Sequence, residues 1–331
     1  MIGKSVYISN LDDFVIDDNV DLYFTSFHIA EEFNDEYKYK VKDLLCRLKD
    51  NNKIIICDIS PRGLKQLNYS SLRDFILDTK IDILRFDFGY SMEEMLEASK
   101  YCKVGLNAST CDEELISKFN NCVGIHNFYP RPETGLDINY FNEQNELFRK
   151  YNLPIYAFIS GDSKLRGPLF EKLVTLEEHR KLSCYEQYLQ LKELNIDHIL
   201  IADPGISNEQ FNLIKDTEKD HIIRLYAYLE NDYNYLYNKV FTNRKDAPND
   251  LIRVIESRNY ATQGELIKTN NCIERTKGSI TIDNENYLRY SGEIQITKKD
   301  YQQDDRVNVI GNILDINLLK YIKRNSKFIL I

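Results

Sequence analysis

The sequence predicts a (β/α)₈ TIM barrel followed by a small β-rich domain. Three observations carry the prediction: strand-like runs recurring through the first 204 residues, helix-start chemistry between them, and a change of pattern after about Thr217. The runs are Ser5–Ser9, Leu22–Phe27, Ile54–Ile59, Ile83–Phe88, Val104–Ala108, Cys122–Phe128, Ile155–Ile159 and His198–Ala202. Each is short, apolar, β-branched or aromatic, and each is followed by polar, helix-compatible sequence.

Ser91-x-x-Glu94, Thr110-x-x-Glu113, Ser183-x-x-Glu186 and Ser207-x-x-Gln210 match the capping box, in which a hydroxyl accepts from an orphan helix N–H and the acid or amide reaches back. Strand, cap and helix repeated eight times imply parallel pairing with right-handed crossovers, and eight such units close more readily than they extend. A doubly wound open sheet is the alternative, but no G-x-G-x-x-G or Walker A segment follows any strand. Only about a dozen residues separate the first two strands, so the first helix has to be short or irregular.

Beyond Thr217, Ile222–Leu229, Ser279–Asp283, Tyr287–Thr297, Val307–Ile313 and Phe328–Ile331 read as strands without intervening helices, and Asp246–Arg258 as the one helix among them. The expected domains are therefore 1–216, the barrel, and 217–331, the β-rich domain.

Of 331 residues 43% are hydrophobic, an ordinary globular content, and the net charge of −9 disfavours a phosphate-backbone binder, which needs clustered Lys and Arg. An anionic ligand must then be met by local cations. No apolar run is long enough to span a bilayer, no leader is legible at Met1, and the seven cysteines lack C-x-x-C spacing. The expectation is a soluble cytoplasmic protein with reduced thiols, binding neither nucleic acid nor membrane.

Barrel chemistry gathers at the C-terminal ends of strands. Those ends supply His28, Asp58, Arg85, Asp87, Asn107, His126, Asn127, Arg131, Glu133, Asp162 and Asp203, and no lysine, which disfavours Schiff-base chemistry. Paired carboxylates suit general acid/base or nucleophilic work such as glycoside hydrolysis; a binding site or a structural network would use the same residues. His28, His126, Asp58 and Asp203 are metal-capable donors, but no two have diagnostic spacing, so neither metal nor cofactor is expected. Gly161-Asp162-Ser163-Lys164-Leu165-Arg166-Gly167 offers an anion grip in Arg166, or is a solvated turn. Thr175–Arg180, with Glu177, and the Arg253–Arg258 segment, with Arg258, are second-tier charged groups that structural ion pairs would also explain.

With these segments together, the sequence resembles the 6-phospho-N-acetylmuramidase family. The carrying stretches are Phe24–His28, Asp58-Ile59-Ser60-Pro61, Leu84–Gly89, Leu106–Thr110, His126–Leu136 (HNFYPRPETGL), Leu165–Pro168, Thr175–Arg180 and Ala202-Asp203-Pro204, then Ile252–Arg258, Gly278–Asn284 and Val307–Gly311. The resemblance implies a barrel with a cyclophilin-like C-terminal domain. It also implies hydrolysis of 6-phospho-N-acetylmuramyl-β-1,4-N-acetylglucosamine to N-acetylmuramic acid 6-phosphate and N-acetylglucosamine during peptidoglycan recycling. On that basis Asp87 and Glu133 are expected to share the acid/base and nucleophile or water-activating roles, with Asp58 and Asp203 as substitutes. Arg85, Arg131 and Arg166 would meet the anionic groups, and His28, Asn107, His126 and Asn127 would orient the sugar. A non-hydrolytic isomerase or epimerase, or a non-catalytic sugar-phosphate binder, is the alternative, and a homo-oligomer is left open.

Overall fold

The computed structural model describes every residue except His28, Asp87, Phe88, Ala247 and 259–265; the side chains of Ala30 and Arg258 also lie outside the description. The chain forms two compact units, Met1–Asn212 and Leu213–Ile331.

In the first unit eight parallel strands close a barrel in chain order: β1 (Ile2–Ser5), β2 (Leu22–Ser26), β3 (Ile54–Asp58), β4 (Ile83–Phe86), β5 (Lys103–Asn107), β6 (Cys122–Ile125), β7 (Ile155–Ile159) and β8 (His198–Ile201). Pairing of β1 with both β2 and β8 completes the ring. Strands covered on both faces read as continuous apolar runs, and β2 and β7 are buried throughout. Leu22, Phe24, Ile56, Ile83, Val123, Ile125, Phe158 and Leu200 fill the core.

Helices α1 (Tyr37–Asp50), α2 (Pro61–Gln66), α3 (Leu72–Thr79), α4 (Met92–Ala98), α5 (Glu113–Ser117), α6 (Ile138–Lys150), α7 (Cys184–Glu193) and α8 (Asn208–Asp220) link or follow the strands. Between β1 and β2 lies a 3₁₀ turn, Ile8–Asp13, in keeping with the short spacing there. Ser91 makes both halves of its capping box. Ser183 caps Glu186 N, and Ser207 accepts from Gln210 N at 3.4 Å while the Gln210 amide oxygen accepts from Tyr185 N instead.

Two expectations for this unit need correction. The first strand ends at Ser5 rather than beginning there, because the apolar run Val6-Tyr7-Ile8 is buried in the turn, where the Tyr7 hydroxyl donates to Ala202 O at 2.7 Å. Burial, not pairing, is what that run reports. The cap of α5 is Asp112, accepting from Leu115 N at 2.8 Å, and not Thr110; a carboxylate is the stronger acceptor beside a helix N-terminus.

The second unit has a five-stranded antiparallel sheet ordered β10 (Ala227–Leu229), β15 (Val307–Ile313), β13 (Ser279–Asp283), β14 (Ile294–Thr297) and β12 (Leu251–Arg253). A second sheet joins β11 (Val240–Thr242), β16 (Lys327–Leu330) and β9 (Ile222–Leu225). The run Ile222–Leu229 thus divides between two sheets, and Tyr287–Thr297 becomes a strand only at Ile294, after a 3₁₀ turn over Glu285–Tyr290. The helix expected over Asp246–Arg258 shrinks to one turn, α9 (Ile255–Arg258), because Leu251–Arg253 pairs with β14. Among the described residues no helix is long and apolar enough to cross a membrane.

Candidate active site

At the C-terminal ends of the barrel strands a cavity of about 200 Å³ is lined by Phe24, Ser26, Asp58, Arg85, His126, Asn127, Phe128, Pro130, Phe158 and Arg166. Strand alternation and register aim the polar members inward: Asp58 closes β3 and pairs in register with Arg85 on β4. Arg85 Nη1 lies 3.1 Å from Asp58 Oδ2, both side chains are about 95% buried, and Nη2 donates to Asn127 Oδ1. A buried ion pair is tolerated only when hydrogen bonds take up the remaining donors, and Asn127 supplies one.

His126 is fully buried behind the cavity. Its Nε2 is 2.8 Å from Asn145 Oδ1 and its Nδ1 is 3.3 Å from Ser109 Oγ, which also accepts from Asn127 N at 2.9 Å. Burial, with the Arg85 charge adding to it against the Asn145 hydrogen bond, depresses its pKa to about 4, so the ring is neutral at physiological pH. Asn107 accepts from Ser109 N at 3.1 Å and lines a neighbouring 130 Å³ cavity with Phe86, Tyr90 and Met95.

Arg166 comes from the long connection after β7. Its guanidinium carbon sits 4.3 Å from the centre of the Tyr7 ring and 5.9 Å from that of Phe128, and its side chain makes no ion pair with a carboxylate among the described residues. Burial raises the Tyr7 pKa to about 12 although the nearby Arg166 charge opposes it, so this ring is a neutral platform for the cation.

Asp203 holds that connection in place. Its Oδ2 accepts from Gly161 N at 3.0 Å and Leu173 N at 3.1 Å, and its Oδ1 from Arg166 N at 3.1 Å. Desolvation nevertheless keeps its pKa above the usual carboxylate range. A Cβ on Gly161 would fall 2.0 Å from Gly205 O, so only glycine lets the loops after β7 and β8 approach this closely. At the rim Asp162 accepts from both the N–H and the hydroxyl of Ser207.

The His126–Leu136 loop is fastened to the segment 172–177 by Tyr129 N to Val174 O at 2.9 Å and Leu136 N to Thr175 O at 2.8 Å. Glu177 is the rivet: Oε1 accepts from Glu133 N at 2.8 Å and from Arg180 Nε at 2.7 Å, and Oε2 from Gly135 N at 2.7 Å. Arg180 in turn donates to Tyr129 O and Arg131 O. Partial burial raises the Glu177 pKa, but the bonds it accepts from Arg180, Glu133 N and Gly135 N outweigh this and hold the carboxyl below its ordinary value. Arg131 and Glu133 themselves are exposed outside the cavity lining. Glu133 has a φ of 70°, uncommon for a non-glycine residue, and its carboxylate makes no hydrogen bond or ion pair among the described residues.

The structure therefore gathers Asp58, Arg85, His126, Asn127 and Arg166 around one cavity. It sets Asp203 and Glu177 as anchors of the flanking loops, with Asn107 beside the cavity and Glu133 and Arg131 at its margin. His28, Asp87 and the Arg258 side chain lie outside the described residues. Strand-end reasoning did not find Tyr7, Ser109 or Asn145. Among the described residues no group of three or more His, Cys, Asp or Glu could hold a metal ion.

Residues 9–216 match the N-terminal and residues 223–331 the C-terminal domain of 6-phospho-N-acetylmuramidase. No curated protein matches the chain. Among solved structures, a conserved protein from a locus in Enterococcus faecalis with an unknown function is 31% identical over 100% of this chain and 96% of its own, with a TM-score of 0.84. A B. cereus protein is 24% identical over 100% of this chain and 99% of its own, with a TM-score of 0.79, and shares the fold. With both family domains matched in order, the chain belongs to the 6-phospho-N-acetylmuramidase family, which supports a glycosidase role.

Proposed function

We propose that the protein hydrolyses 6-phospho-N-acetylmuramyl-β-1,4-N-acetylglucosamine, releasing N-acetylmuramic acid 6-phosphate and N-acetylglucosamine for cell-wall recycling. The observation that carries this reading, beside the family, is the mouth cavity, where the Asp58–Arg85 pair meets a guanidinium, Arg166, that has no carboxylate ion pair among the described residues. A cavity of about 200 Å³ is below the about 300–1,000 Å³ that encloses a drug-sized ligand, so it accommodates one sugar residue while the second lies outside it.

Glycoside hydrolysis needs one carboxyl to protonate the leaving oxygen and another to attack or to activate water. Asp58, in an ion pair with the Arg85 guanidinium, suits a group that stabilises an oxocarbenium-like transition state by its charge. Glu133, at the margin with a carboxylate that makes no hydrogen bond or ion pair among the described residues, and Asp87 are the candidates for the proton-donating carboxyl. Arg166 meets the phosphate or the lactyl carboxylate, and Asn127 the sugar hydroxyls. Asp203 and Glu177 serve as frame, because their oxygens already accept from backbone N–H groups. The second unit is read as the cyclophilin-like domain of the family.

Mass spectrometry of the products decides the reaction class: two monosaccharides, one of them phosphorylated, are expected, whereas an isomerised disaccharide or unchanged ligand overturns hydrolysis. Arg166→Ala should raise KM for the phosphorylated disaccharide about 10–100-fold, the loss of a charge-assisted hydrogen bond. Little change is expected for the unphosphorylated analogue if the phosphate is what Arg166 holds, and an equal change for both removes Arg166 from phosphate recognition.

A further inference from the structure

We infer that Asn145 and Ser109 are positioning residues for the candidate catalytic centre, acting on Asp58 through a buried hydrogen-bond chain in which His126 is a neutral relay rather than a sugar ligand. As a statement about catalysis this rests on the functional reading above.

The chain is continuous. Asn145 Oδ1 meets His126 Nε2 at 2.8 Å, His126 Nδ1 meets Ser109 Oγ at 3.3 Å, and Ser109 Oγ accepts from Asn127 N at 2.9 Å. Asn127 Oδ1 then accepts from Arg85 Nη2, and Arg85 Nη1 reaches Asp58 Oδ2 at 3.1 Å. Asn145 and His126 have no exposed surface, and Ser109 is 2% exposed. Asn145 is absent from the cavity lining, so its influence on a substrate has to pass through another residue.

The donors run in one direction. Ser109 Oγ already accepts from Asn127 N–H, so it is free to give its own hydrogen to His126 Nδ1; the single hydrogen of a neutral imidazole then sits on Nε2 and points at Asn145 Oδ1. The burial and the lowered pKa of His126 agree with that neutral form, and Phe141, whose ring centre is 4.4 Å from the imidazole, covers one face. Asn145 thereby fixes the tautomer and Ser109 the position of the Asn127 backbone. Asn127 orients the Arg85 fork, and the fork fixes the Asp58 carboxylate. In a low-dielectric interior the bonds of such a chain strengthen one another, so the chain loosens as a unit when one is lost.

Imidazole ¹⁵N shifts test the polarity: hydrogen on Nε2 at neutral pH is expected, and hydrogen on Nδ1 overturns the proposal. Asn145→Leu removes the acceptor at similar volume. It should lower kcat about tenfold with KM within about twofold, and move the ¹³C resonance of the Asp58 carboxyl. Asn145→Asp sets a carboxylate against Nε2 and favours the imidazolium, whose Nδ1–H can no longer receive from Ser109, so a new ionisation should enter the pH profile of kcat. A folded Asn145→Leu protein with unchanged kcat and an unmoved Asp58 resonance overturns the chain. Should the wild type fail to cleave the disaccharide, the functional reading falls alone; the tautomer and the Asp58 resonance still decide the chain.

Discussion

The barrel mouth and the five-stranded sheet of the second unit both bury charge, yet they balance it differently. At the mouth Asp58 pairs with Arg85, whose fork also reaches Asn127. On the sheet Asp283 and Glu293 are cross-strand neighbours, joined by Asp283 N to Glu293 O at 3.0 Å, and both are about 96% buried. Arg253 Nη2 engages Glu293, while Asp283 accepts from Gln295 Nε2 at 3.2 Å. The crowding is resolved by keeping a proton: burial first and the Glu293 charge second push the Asp283 pKa to about 7, with Arg253 opposing them. The difference is between a buried carboxyl that meets a guanidinium directly, Asp58 on Arg85, and one that burial and a like charge push toward its protonated form, Asp283.

The sharpest way to break this comparison is Arg85→Leu. Stranding a buried carboxylate should cost about 3–5 kcal/mol of stability, read from urea unfolding of the whole protein. A loss below about 1 kcal/mol would mean that other groups compensate Asp58 and that Arg85 is not what holds it. A smaller effect should follow at the other mouth carboxylate. Asp203→Asn turns an amide N–H toward backbone donors that need an acceptor, for about 1–3 kcal/mol. Its signature is faster hydrogen exchange at Gly161, Arg166 and Leu173. Unaltered exchange at those amides would show that the connection after β7 is held without Asp203.

The same contrast separates what was legible in the sequence from what was not. Barrel strands β2 to β8 announce themselves because burial on both faces makes each a nearly unbroken apolar run. In the second unit β11 and β12 are three residues each, too short for any periodicity to register, and their pairing decides their conformation. Asp58, Arg85, Asn127 and Arg166 were legible because strand ends and the loops after them are where a barrel displays polar side chains. Asn145 was hidden by its distance from any strand end. One signal could have found it: with Phe141 and Phe148 it shares the buried stripe of α6, and a polar residue in such a stripe needs a partner. Glu177 and Asp203 mark the limit of that reasoning, since charge at a loop or strand end does not distinguish a carboxylate offered to substrate from one that accepts backbone N–H bonds.

The sheet's unequal balance can be sharpened by Asp283→Asn, which holds that position neutral at every pH while the amide oxygen still accepts from Gln295. In the wild type the folded-state pKa, about 7, lies above the ordinary value of 3.8. Between those values the folded chain keeps a proton that the unfolded chain has released, so stability falls as pH rises through the window and levels off above it. The variant lacks this slope. Its stability relative to wild type should be unchanged near pH 4, should climb toward pH 7, and should stay higher by the same margin at pH 8. Unfolding midpoints measured at pH 5 and pH 8 are sufficient. An equal difference at both would place the proton elsewhere and would make the two buried clusters alike after all.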